Sequence, residues 1–109
     1  MPVDEELRAQ LRQHLDRTPG VEPKPMFGGV GFTLHGNLLC GVVEDAVLVR
    51  IAKKDFDRFI GDPGARPMVM AGQTGKSWIL VDKAVVSKPE EMEKWVSRAT
   101  DFVGSLRPK

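Results

Sequence analysis

Three apolar runs, Gly31 to His35, Leu38 to Val43 and Ala46 to Ala52, follow one another with only two residues between them. Gaps that short are hairpin turns, since a parallel crossover takes a dozen residues or more. The middle of the chain therefore reads as an antiparallel meander. Gly36-Asn37 suits the first turn, because glycine supplies a positive φ at the first turn position, and Glu44-Asp45 is a second tight, polar reversal. In the third run Val47, Val49 and Ile51 share one face, while Ala46, Leu48, Arg50 and Ala52 share the other. That second face is not clearly polar, so part of it is expected to be covered, with another subunit as the candidate cover.

Helical patterning brackets the meander. Val3, Leu7, Leu11 and Leu15 recur every four residues and make one apolar stripe. Asp4, Glu5 and Glu6 open that segment and Arg12 and Arg17 close it, as a helix dipole favours; Thr18-Pro19-Gly20 stops it. A short helix is predicted over Lys54 to Ile60, with Phe56, Phe59 and Ile60 on one face, ended by Gly61-Asp62-Pro63-Gly64. Two further strands are predicted at Pro67 to Met70 and Ser77 to Asp82, joined by the loop Ala71 to Lys76. Ser87-Lys88-Pro89-Glu90 matches a capping box. It opens a closing helix whose Met92, Trp95, Val96, Ala99, Phe102, Val103 and Leu106 form a long apolar stripe, expected to lie across the sheet. The predicted fold is one α+β domain over residues 1–109: two layers, an antiparallel sheet with helices, in the order α-β-β-β-α-β-β-α. At 109 residues, 41% hydrophobic and 28% charged, the chain can bury one core but not two.

Charge and cysteine usage narrow the function classes. Sixteen basic and 15 acidic residues leave a net charge of +1, so no global field holds a nucleic acid or an anionic membrane. The longest apolar run, Leu38 to Val43, is far short of the roughly 20 residues that span a bilayer, and the acidic start is not a secretory signal. The single Cys40 excludes an internal disulfide and leans towards a reducing compartment. A cytoplasmic protein is expected.

The motifs that suggest chemistry each fail at a named place. Gly72-Gln73-Thr74-Gly75-Lys76-Ser77 resembles the end of a phosphate-binding loop, but Met70 stands where the first glycine belongs and a strand, not a helix, follows. In Gly29-Val30-Gly31, Leu34 occupies the third glycine position of a dinucleotide fingerprint. Cys40 sits among apolar residues, and neither His14 nor His35 is tied to it as a base. One cysteine and two histidines give no zinc ligand spacing. Glu44-Asp45 reads as turn chemistry, and Glu90, Glu91 and Glu93 as charge at a helix N-terminus. No catalytic residue, cofactor or metal is expected.

Several segments together resemble the N-terminal domain of the TfoX/Sxy family. They are Met26-Phe27-Gly28-Gly29-Val30-Gly31-Phe32, the Gly36-Asn37 turn, Val47-Leu48-Val49-Arg50, Pro63-Gly64-Ala65-Arg66-Pro67-Met68, and Trp95-Val96 with Ala99. The likeness is collinear from about Leu7 to Val103. It implies a two-layer α+β fold and a bacterial, non-enzymatic role. Family members with known roles are regulators of competence genes that act with the cyclic-AMP receptor protein and carry a second, helical C-terminal domain. For this chain the resemblance implies a stand-alone module of that fold, and it supplies no catalytic residue.

The expected function is a regulatory protein-interaction module, with a homodimer among its possible assemblies and its partner unidentified. Its candidate surface is Phe27, Gly28, Gly29, Arg50, Arg66 and Lys76. Two alternatives stand beside it. A weak nucleic-acid binder would gather Arg50, Lys53, Lys54, Arg66 and Lys76 on one edge, although direct nucleic-acid binding is not expected from the overall charge. A small-ligand protein would place its pocket near Phe27-Gly28-Gly29 and the Gly72 to Lys76 loop.

Overall fold

The first apolar stripe winds into helix α1, Glu5–Leu15, in the computed structural model of the chain, which describes residues 4–26, 29–70 and 72–108. Asp4 caps the helix, its carboxylate accepting the Leu7 N–H at 3.0 Å, and Leu7, Leu11 and Leu15 are buried. Val3, the predicted start of the stripe, lies outside the described residues.

Six strands follow the logic of the apolar runs: β1 (Val21–Met26), β2 (Gly29–Leu34), β3 (Asn37–Val43), β4 (Ala46–Arg50), β5 (Ala65–Met70) and β6 (Gln73–Asp82). They form one sheet in the order β1-β2-β3-β4-β6-β5, and each neighbouring pair is antiparallel. The predicted meander is β2 to β4. Strand β1 is an addition, an edge strand with Pro23 opposite Phe32 and Pro25 opposite Val30. Two residues apart, these prolines remove N–H donors from one side of the strand, the arrangement an edge tolerates. The other edge, β5, carries Pro67. Both margins of the sheet are thus poor templates for a further strand.

The first hairpin turn is one residue earlier than the sequence suggests. His35 and Gly36 occupy its two central positions with φ of 52° and 86°, both left-handed, and Leu34 pairs with Asn37. Asn37 belongs to β3 instead, where its buried amide donates to the Arg107 carbonyl at 2.8 Å and ties down the C-terminal segment. The second reversal falls at Glu44-Asp45 as predicted, between paired Val43 and Ala46.

Helices pack on the face that carries Val47 and Val49. A 3₁₀ turn, Lys53–Asp55, runs into α2, Phe56–Phe59, where a single helix was expected. Helix α3, Lys83–Val86, separates β6 from α4, Pro89–Val103. This extra helix displaces the predicted capping box: Ser87 ends α3, and Lys88 is the N-cap of α4, with no side-chain cap bond. Pro89 starts α4, its fixed φ already suited to the first helical position. Along α4, Met92, Trp95, Val96, Ala99 and Val103 are buried against the sheet and α1 and Phe102 is half-buried, while Leu106, the end of the predicted stripe, is half-buried beyond the helix. Helix α1 is tied across by Gln10 to the Ser87 carbonyl (3.2 Å), His14 to Glu93 (2.9 Å) and Asp4 to Lys83 (2.9 Å). Among the described residues no helix is long and apolar enough to cross a membrane.

The opposite face of β4 is closed by the chain itself. Ala46 is 1% and Leu48 2% exposed in the single chain, with Leu48 between Gly41 of β3 and Leu80 of β6. Register breaks at Phe32/Thr33 and Pro67/Met68 bend the flanking hairpins. A second subunit is not needed to bury these two residues.

Candidate functional site

The described members of the predicted surface, Gly29, Arg50, Arg66 and Lys76, come from four different strands. Phe27 and Gly28 lie outside the described residues. Gly29 opens β2, and a Cβ there would run into the Val42 carbonyl oxygen, so this glycine permits close approach of two strands. Arg50 ends β4, where its Nη1 donates to the Leu38 carbonyl at 3.3 Å and its guanidinium lies 5.8 Å from the rings of Trp78 and Phe102. Lys76 is exposed at the same end of the sheet, beside Ser77, whose carbonyl accepts the Ile51 N–H. Arg66 stands opposite Leu80, whose other neighbour is Leu48 in the middle of β4, and its Nε donates to Asp82 at 2.7 Å. Of the cations proposed for nucleic acid, Arg66 is already paired, with Asp82.

The glycine segments have structural work to do. Gly72 takes φ +78° in the β5–β6 hairpin, and Gly75 and Lys76 continue into strand β6. No helix N-terminus follows to hold phosphate. Cys40 is buried inside β3, and burial pushes its thiol up to about 12. Among the described residues no three His, Cys, Asp or Glu side chains are grouped to hold a metal ion.

Two concave features were not visible in the sequence. The first is a groove of about 340 Å³ where β5 meets the hairpin between β3 and β4. Val43, Pro67, Met68, Val69 and Leu80 give it apolar walls, and Glu44 and Arg66 stand at it as polar groups. Val69 is 58% exposed, the large hydrophobic side chain left to solvent among the described residues.

The second is a cavity of about 270 Å³ beside α2 and the C-terminal half of α4. One wall is Arg98, whose Nη1 donates to Asp62 at 2.6 Å. Its guanidinium packs 4.0 Å from the Phe59 ring and 4.7 Å from the Trp95 ring, which are nearly perpendicular to each other. Lys94 also reaches Asp62, at 3.3 Å. The bond from Arg98, with the charge of both cations, holds the Asp62 carboxyl below its ordinary value against the opposing effect of burial. Phe59 and Asp62 stand 36 residues from their α4 partners, beyond what local spacing reveals.

A family model described as the TfoX N-terminal domain matches residues 13–103. The chain belongs to this family. The match begins within α1 and ends at the last residue of α4, so the TfoX N-terminal domain takes in the whole sheet and the groove. Searches of curated proteins and of solved structures gave no match.

Proposed function

We propose that this TfoX N-terminal domain is a non-enzymatic, regulatory protein-interaction module that meets its partner at the β5 groove. The observation that carries the reading is Val69, a large apolar side chain 58% exposed beside an apolar groove. Exposed apolar surface with a polar rim is the anatomy of a recognition site. Arg66 is fixed by Asp82, so presenting it to a partner loses little side-chain freedom. Membership of the family supports the regulatory part, in which transcription control of the competence type is the expected process.

The experiment compares wild type with Val69→Arg in quantitative capture from lysate, with light scattering to detect self-association. Loss of a reproducible partner, or of a dimer, in the variant alone supports the reading. The same recovery and the same mass in both proteins overturns it. A direct nucleic-acid role has less support, since Arg66 is neutralised by Asp82.

A further inference from the structure

The 270 Å³ cavity beside α2 is built differently from the groove: it is walled by cations and ring faces. Arginine has five N–H donors, and Arg98 uses one of them, on Asp62. Its Nε and Nη2 have no hydrogen-bond partner among the described residues, yet neither is a buried unpartnered atom, so both meet solvent. The guanidinium is also held in place by that bond and by its packing on Phe59 and Trp95. A rigid fork with donors left over is suited to an oxyanion.

The rest of the lining agrees in sign and shape. Lys54, from the 3₁₀ turn, is exposed at the same cavity and has no ion pair among the described residues. Arg58 and Asp55 neutralise one another at 2.9 Å. Phe102, half-buried, offers ring surface, whereas the guanidinium groups of Arg98 and Arg58 lie over the Phe59 ring at 4.0 and 4.8 Å and leave its edge; Arg50 adds a charge 5.8 Å from Phe102 without lining the cavity. Asp101 is the lining carboxylate without a partner among the described residues, and it sets a repulsive limit on where an anion can sit. The volume lies just below the roughly 300 Å³ at which ligand pockets for drug-sized molecules begin, so the occupant is small.

We propose that this cavity binds small molecules that combine one oxyanion, carboxylate or phosphate, with a flat apolar ring. The oxyanion sits between Arg98 and Lys54, and the ring lies against Phe102 and the edge of Phe59.

The test is an NMR titration of the full chain with phenyl phosphate and, separately, benzoate, following the Arg98 Nε–H and the Phe59 and Phe102 ring signals. Saturable shifts at these groups with either probe support the proposal, the tighter probe identifying the oxyanion. Inorganic phosphate and benzyl alcohol, each half of the ligand, should bind more weakly than phenyl phosphate. Lys54→Gln should weaken binding roughly two- to fivefold and Asp101→Asn should tighten it by a similar factor, as expected for one partly exposed charge. Neither residue has a bond that the fold depends on, and Arg98→Lys, which keeps the charge and removes the planar fork, should weaken binding further. The proposal is overturned if neither aryl anion gives saturable shifts at these groups into the millimolar range. It is equally overturned if Lys54→Gln and Asp101→Asn both leave the affinity unchanged.

Discussion

Leu48→Ala asks whether the sheet face away from the helices is closed by the chain or by something else. Leu48 is 2% exposed in the single chain, so truncation removes three buried carbons. At about 0.8 kcal/mol per buried methylene the transfer loss is about 2.4 kcal/mol. A residual cavity adds to this, since leucine truncations in cores cost roughly 2–5 kcal/mol. The expected loss is about 3 kcal/mol, a fall in Tm of roughly 12 °C for a domain of this size. Val69→Ala, at a 58% exposed site, should change stability by no more than about 0.5 kcal/mol. Urea unfolding followed by circular dichroism, at two protein concentrations tenfold apart, measures both variants. The reasoning is refuted if Leu48→Ala costs less than about 1 kcal/mol. It is refuted too if the wild-type midpoint rises with concentration while the variant's does not, because the cover would then be a second chain.

Two further outcomes follow from charge and burial. Asp62 is held below its ordinary value of 3.8, first by the Arg98 bond, so it stabilises the fold above about pH 4 and that contribution fades as pH falls through the lowered value. Asp62→Asn should lower stability at pH 7 by roughly 1.5 kcal/mol, the low end for a charged hydrogen bond because an amide oxygen still accepts, and flatten the acid limb of stability against pH; an unchanged limb rejects this. Cys40, with its thiol at about 12 and fully enclosed, should resist Ellman's reagent at pH 8 until guanidinium unfolds the chain, and rapid reaction of the folded protein would contradict that burial.

What the sequence made legible was local. The meander shows because its turns are two residues long, and α4 shows because seven apolar residues keep one helical phase. Strand β1 was hidden by Pro23 and Pro25, which argue against a strand unless it is known to be an edge. The turn at His35-Gly36 was misplaced because histidine adopts a left-handed φ of 52° there, a conformation that favours glycine. Ser87 matched a capping box by spacing, yet α3 claims it as its own end. Of the described candidate-surface residues, Arg66 lines the groove, whose walls also take Val43 and Leu80 from two other strands. The cavity at Arg98 depends on residues from the 3₁₀ turn, α2 and α4, which only the packed helices bring together.

The ties of α1 have a consequence for how the chain is made. Gln10, His14 and Asp4 find their polar partners 77 to 79 residues later. At roughly 5–20 residues per second, that delay on the ribosome is on the order of 4–16 s. An 11-residue helix is marginal alone in water, so until then it leans on β3 and on the Asp4 N–H bond to the Glu44 carbonyl at 3.2 Å. The ties to Lys83, Ser87 and Glu93 close only once that later segment is made, and the three leucines of α1 are a surface that a ribosome-associated chaperone would meet in the interval.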